Sequence, residues 1–405
     1  MIKYCKISEL CKIYSGNSIN EKIKKEKYTN NNGIEYISTK DIGYNLKINY
    51  NNGIKIPNSD LEKFRIAPPH TVFICAEGGS AGRKLAISDR QLCFVNKLFA
   101  IVSTEKVLPK FIFYFIQSDN FNKQFKSAIT GLIGGVSLNK FKEFEIPILP
   151  ILTQQKIVAK LDKIFAEIDR TAVAAVANIN NIEVLFRSYL KKYFEHDDHE
   201  WKTVKLVSLV EVITKGTTPT SEGYKFINDG INFLKIESID LNGKFLQYKF
   251  AKISEECHEK LKRSKLKEGD ILFSIAGALG RTAIVTKNIL PANTNQAIAI
   301  IRLKDNNLIN KEFLNIALKS ESVLKQISLM KGGVAQQNLS LLQLKNFLIP
   351  LPPLSTQHKL ATKLEFVSAK IANIIKIYNG IGVELALLKQ SILKKAFSGE
   401  LVKAA

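Results

Sequence analysis

The chain has 405 residues, with 59 Lys and Arg against 37 Asp and Glu, a formal charge of +22 and a pI near 9.6. That length holds two or three domains with full cores, and 45% hydrophobic with 24% charged residues is a folded, soluble composition. No run of about 18 apolar residues suggests a membrane span, the Lys, Ser and Glu of MIKYCKISELCK do not make a secretory signal, and five cysteines without C-x-x-C spacing (Cys5, Cys11, Cys75, Cys93, Cys257) imply free thiols in a reducing cytoplasm and no zinc.

A surplus of positive charge attracts a polyanion, nucleic acid first and an anionic membrane surface second. Residues 1–200 carry 29 basic and 21 acidic side chains (+8), and residues 201–405 carry 30 and 16 (+14). Both halves are basic, so the charge is not a tail on a neutral domain. Only eight of the basic residues are Arg.

Residues 1–145 read as short strands with a few helices. Within them lie a glycine loop, VFICAEGGSAGR (Val72–Arg83), a strand VNKLFAI (Val95–Ile101), a helix over Pro109–Phe125 and a glycine stretch at Gly131–Gly135. A proline turn follows, Pro147-x-x-Pro150, and Thr153 stands where a helix N-cap belongs. Residues 154–194 then contain no Pro and no Gly. Apolar residues recur there at steps of three and four, from Ile157 through Leu161, Ile164 and Ile168 to Tyr193. That is a coiled-coil seam on a helix about 60 Å long. The acidic run EHDDHE (Glu195–Glu200) reads as a linker. His196, His199, Asp197 and Asp198 could bind a metal, but a solvated linker is the simpler reading.

The rest of the chain repeats this plan. With an offset of 203, IPILPILTQQKIVAKLD (from Ile146) lies over IPLPPLSTQHKLATKLE (from Ile349), with Thr356 in the place of Thr153. The match runs without a gap to Phe194 over Phe397, and 16 of its 49 pairs are identical. Upstream, ILFSIAGALGR (Ile271–Arg281) lies over the first glycine loop. TNQAIAI (Thr294–Ile300) lies over VNKLFAI, and a helix over Lys311–Ile327 matches Pro109–Phe125. Gly380 and Gly382 interrupt the second long helix and are expected to bend it. Two such helices in one chain invite an intramolecular antiparallel pair.

The fold class is therefore α+β, with an internal pseudo-two-fold repeat. The expected domains are residues 1–145 and 201–348, each followed by a helical spacer, 146–200 and 349–405.

Tools for catalysis are absent from the pattern. GGSAGRK (Gly78–Lys84) lacks the spacing and final hydroxyl of a phosphate loop. No [DNS]-P-P-[YF] tetrapeptide of the amino-methyltransferase type occurs, since APPH (Ala67–His70) has neither the donor nor the stacking aromatic. No nucleophile elbow is present. Binding is favoured over catalysis, with no catalytic residue, metal or cofactor.

IPLPPLSTQHKL (Ile349–Leu360), LLKQSILKKAFSGELV (Leu387–Val402), their first-half equivalents and GDILFSIAGALGR (Gly269–Arg281) resemble the specificity subunit of type I restriction–modification systems. The resemblance covers essentially the whole chain. Thr153 and Thr356 stand where the family usually has an acid, and the SGEL segment follows only the second helix. The resemblance implies a non-catalytic, cytoplasmic subunit that binds double-stranded DNA and no membrane. Its two target-recognition domains would each read one half of an asymmetric, split site. The paired helices would set the half-site spacing and dock two DNA methyltransferase (modification) subunits, which restriction–translocase subunits then join. A stand-alone DNA-binding regulator without a methyltransferase partner is the alternative.

The residues expected at DNA are Arg83, Lys84, Asn96, Lys97, Lys215, Arg281, Asn295 and Gln296. Arg83 matches Arg281, and Asn96-Lys97 matches Asn295-Gln296, in this alignment of the halves. Gly332–Gly333 with Gln336, Gln337 and Asn338 are candidate backbone approaches to phosphate. The spacer and docking positions are Gln154, Lys156, Leu161 and Ile168 on the first helix and Gln357, Lys359, Leu364 and Ile371 on the second.

Overall fold

A computed structural model describes residues 3–131, 134–194, 201–240, 243–304, 308–329 and 338–403. The linker Glu195–Glu200 with its His and Asp pairs, Gly332–Gly333, Gln336 and Gln337 lie outside the described residues. The chain divides into two compact units, residues 1–174 with 380–405, and residues 175–379.

In the first unit, an antiparallel sheet has the order Cys11–Ser15, Leu98–Ser103, Val72–Cys75, Leu85–Ile87. Its central strand, VFIC, is buried along its whole length, so it shows no alternation of apolar and polar residues. A second sheet runs Lys55–Ile56, Ile34–Ile37, Leu92–Phe94, Ile66–Ala67, with the middle pair parallel. Helices Pro109–Ile116, Asp119–Ala128 and Leu138–Lys142 cover the other face of the first sheet. There Phe115, Phe121, Phe125, Phe141 and Phe144 stack edge-on and tilted. The expected single helix over Pro109–Phe125 is in fact two. Ser118 breaks it, because its hydroxyl accepts from Phe121 N (3.3 Å) and caps the second piece.

Strand Lys3–Lys6 pairs with Glu145–Ile148, which closes the domain immediately before the first long helix, Ile151–Phe194. Pro150 O accepts from both Thr153 N and Gln154 N at 2.9 and 3.0 Å. Pro150 therefore takes the capping position and Thr153 lies inside the first turn, a correction to the sequence reading.

The second unit repeats the arrangement. Its main sheet runs Val210–Lys215, Ile298–Leu303, Ile271–Ser274, Thr282–Ile284, and its smaller sheet keeps the parallel pair, Ile231–Leu234 beside Ala292–Thr294. Lys202–Lys205 pairs with Leu348–Leu351 ahead of the second long helix, Leu354–Phe397. Here Pro353 O accepts from Thr356 N and Gln357 N at 2.9 and 3.0 Å. This helix is continuous through Gly380 and Gly382. The matched pair of helices over Lys311–Ile327 is again two, Lys311–Ala317 and Glu321–Leu329.

Each unit is completed by parts of both long helices running antiparallel. In the first unit, Ile157, Leu161, Phe165 and Ile168 share a core with Leu393, Ala396 and Phe397, and Lys389 bonds Asp169 at 2.6 Å. In the second, Leu190 joins Leu360, Ala361 and Leu364, and Asn178 donates to the Tyr378 hydroxyl at 3.2 Å. Opposite these buried stripes, Val173, Val383, Leu387 and Leu388 of the first unit are exposed, as are Val176, Val184, Phe366, Ile374 and Ile377 of the second. By length and composition alone the second long helix is apolar enough to cross a membrane, with a mean hydropathy of 1.4 over 18 residues. Lys376 and Glu384 interrupt its apolar runs, so the expectation of no unbroken apolar span stands.

A buried ion pair of the second unit is replaced in the first. Asp270, 1% exposed, receives two bonds from the Arg302 guanidinium (2.7 Å each) and one from Lys267 N (2.7 Å), and the carboxylate raises the Arg302 pKa. The matching positions of the first unit hold Thr71 and Val102, with the Thr71 hydroxyl on Pro68 O. Arg302→Ala would strand a buried carboxylate, so a loss of about 3 kcal/mol is expected in urea unfolding. The Asp270→Thr/Arg302→Val double variant should recover most of it. A double variant as unstable as the single would refute the equivalence.

Candidate nucleic-acid interface

Two loops in each unit bring together the polar side chains singled out at sequence level. The first follows the edge strand of the main sheet. The second joins the parallel strand to the next strand of that sheet. Gly16 and Gly216 sit at their crossing, where an added Cβ would fall 1.8 Å from Phe94 O and 1.9 Å from Thr294 O. Only glycine permits that approach. One residue on, Asn17 N donates to Phe94 O, and Thr217 N donates to Thr294 O. Next, the Ser18 hydroxyl bonds Asn96 Oδ1 at 2.6 Å, and the Thr218 hydroxyl bonds the Gln296 amide oxygen.

These pairs fix the true register between halves. Asn96 corresponds to Gln296, not to Asn295, and Lys97 corresponds to Ala297. The sequence alignment is one residue out. Asn295 instead turns its amide oxygen to Ala297 N (3.2 Å) and shapes the loop. Lys97 is exposed and paired with Glu77 at 3.0 Å. Lys215 is exposed at the end of its strand.

The arginine match is corrected in the same way. Cys75 N bonds Lys84 O, and Ser274 N bonds Arg281 O. Lys84 Nζ donates to Thr39 O at 2.9 Å, and Arg281 Nη1 donates to Ile239 O at 3.0 Å. Lys84 is thus the counterpart of Arg281. Arg83 belongs to a longer glycine loop in the first unit and is exposed, bonded to Gly79 O. Arg281 is half-buried and braces the Ile239 loop.

Two exposed arginines were overlooked as site residues. Arg65 Nη1 donates to Ser15 O (3.0 Å) while Asn17 Oδ1 accepts from Arg65 N, and Arg263 Nη2 donates to the Thr217 hydroxyl (3.0 Å). Both flank the same loop in their own units. The available signal was scarcity, since each arginine in so lysine-rich a chain is a marked choice. Gly134 and Gly135 lie against the Glu77–Gly78 loop, with Gly78 N on Gly134 O at 2.8 Å. Asn338 bridges to Ala276 at the equivalent place.

The helix positions divide by burial. Gln154 and Gln357 are each 1% exposed, and Leu161, Ile168 and Leu364 are buried, so these five face their own units and are corrected as docking residues. Gln154 Oε1 accepts from Leu108 N at 2.9 Å, and its amide donates to Lys106 O and Leu149 O at 3.0 and 2.8 Å. Gln357 does the same with Asn310 N, Leu308 O and Pro352 O at 2.8, 3.1 and 2.8 Å. Lys156 and Lys359 are exposed, and Ile371 is half-buried. Among the described residues no cluster of His, Cys, Asp or Glu is placed to hold a metal. Burial pushes the Cys11 and Cys93 thiols up to about 12, so both stay protonated and inert at neutral pH.

Fold and surface together define a duplicated α+β binding protein in which each unit is completed by parts of two long helices. The chain belongs to the type I restriction modification DNA specificity domain family, whose model matches residues 2–178 and 198–382. It is 29% identical over 323 residues to the type I restriction enzyme EcoBI specificity subunit of Escherichia coli, covering 71% of this chain and 67% of that protein. Identity to the MjaVIII specificity subunit of Methanocaldococcus jannaschii is 24% over 365 residues, 86% of this chain and 82% of the relative. Among solved structures, a chain from work on complex assembly and conformational transition of the type I system superposes with a TM-score of 0.73. Its identity is 19%, over 98% of both chains. The HsdS subunit from Thermoanaerobacter tengcongensis gives 0.52 at 20% identity, over 98% and 97% of the two chains.

Proposed function

We propose that this protein is the sequence-reading, non-catalytic subunit of a type I restriction–modification complex, working in the cytoplasm on double-stranded DNA. Each target-recognition domain, 1–145 and 201–348, reads one half of a split site. The observation that carries this reading is the duplication itself. One loop framework, Gly16–Ser18 with Asn96 and Gly216–Thr218 with Gln296, recurs in two basic units with different side chains upon it. A covalent pseudo-dimer with diverged halves suits an asymmetric bipartite sequence.

Lysines around these loops supply salt-sensitive phosphate affinity, and Arg65, Arg263, Asn96 and Gln296 supply groups suited to base edges. The long helices set the distance between half-sites. Their exposed apolar faces, Val383, Leu387 and Leu388 in one unit and Phe366, Ile374 and Ile377 in the other, dock two methyltransferase subunits. Those partners bring the S-adenosylmethionine and adenine chemistry, and restriction–translocase subunits add to the same core.

Long-read methylome sequencing of cells with and without the gene tests the reading. One bipartite adenine-methylated motif should disappear on deletion. Survival of every motif, while the methyltransferase partner is expressed, would overturn it.

A further inference from the structure

The two units share a hairpin whose frame is the same and whose tip is not. In the first unit, Ile42 and Ile48 bridge antiparallel, Gly43 N bonds Lys47 O, and Leu46 N bonds Gly43 O. In the second, Ile239 bridges Phe245, Asp240 N bonds Lys244 O, and Gly243 N bonds Asp240 O. Leu46 at φ +63° takes the left-handed place that Gly243 fills at φ +84°. A leucine accepts that conformation only where something holds it, and Leu46 packs on the main core of its unit. The turn is therefore rigid.

Rigidity leaves Tyr44 standing out at 62% exposure. Two cations from the glycine loop lie over its ring, the Arg83 guanidinium at 5.8 Å and the Lys84 ammonium at 5.3 Å from the centroid. Lys84 is fixed there by its bond to Thr39 O. An exposed tyrosine with two positive groups over its ring is arranged to contact something both anionic and flat. The matching tip residue in the second half is Leu241, which lies outside the described residues. A frame kept between the halves with an exposed side chain that differs is what reading two unlike half-sites requires.

We propose that Tyr44, with Arg83 and Lys84, is a DNA-contact site of the first recognition domain, the ring lying on a base of the first half-site and the two cations meeting the flanking phosphates. This rests on the function proposed above.

The test uses the full-length chain in complex with its methyltransferase partner. Methylation is measured on duplexes in which every position of both half-sites is varied singly. Tyr44→Ala should lower methylation of the cognate duplex about tenfold and relax discrimination at one position of one half-site only, the size of one lost base contact. Tyr44→Phe, which keeps the ring, should retain the wild-type profile. Equal loss on every duplex, or no loss, would overturn the site. If the wild-type complex recognises no bipartite motif at all, it is the function that fails rather than Tyr44.

Discussion

Replacing Gln154 or Gln357 by alanine should cost its unit about 3 kcal/mol, because each buried glutamine side chain hydrogen-bonds three backbone groups. Gln154 serves Leu108 N, Lys106 O and Leu149 O, and is 1% exposed. It fastens the first turn of the long helix to the loop before Pro109 and to the strand that precedes the helix. Gln357 fastens the second helix to the Leu308–Asn310 loop identically. Gln→Glu should be at least as damaging, since a carboxylate would face two carbonyl oxygens with no proton to offer. Urea unfolding of the full chain gives the loss. Hydrogen exchange should locate it at residues 106–108 and 149–154 for Gln154→Ala, and at 308–310 and 352–357 for Gln357→Ala. A loss below 1 kcal/mol would mean that water replaces the amide, and the lock would be dispensable.

This lock also shows where sequence reasoning succeeds and where it stops. The matched Gln was visible, but as a docking residue. Its spacing to Ile157, Val158, Leu161, Phe165 and Ile168 puts it on the buried stripe, and that was the unused signal. The long helices were legible because 3.5-residue periodicity survives over dozens of residues and the repeat is ungapped there. Strand order was not, since strands of two to six residues carry little pattern. The register slip has the same root. Ile298–Ile301 is buried on both faces, so period-two alternation is lost, and an Ala-Ile repeat aligns almost as well one step away. The paired hydrogen bonds of Ser18 and Thr218, with those of Asn17 and Thr217, decide it. Arg83 misled for a related reason. The first glycine loop is longer than the second, and the alignment closed the gap on the residue type instead of on the strand that follows. Tyr44 carried no sequence signal, because its meaning depends on cations some forty residues away.

Removing seven residues from each long helix at the same place in the repeat, 174–180 and 377–383, should shorten the recognised spacer and leave both half-site sequences intact. Seven residues are two turns, so the buried stripes stay in phase with their partners at either end. The axial loss is about 10 Å at 1.5 Å per residue, close to three base pairs at 3.4 Å each. Ala175 is the one buried residue of the two segments, and Ile377 and Val383 are the proposed docking residues lost with them. Inserting seven residues at the same points should lengthen the spacer by the same amount. Deleting five instead would rotate each stripe by about 140°, out of register, and methylation should collapse on all sites. Methylome sequencing reads the three variants directly. A motif with its original spacer after the seven-residue deletion would show that the helices hold the partners but do not measure the DNA.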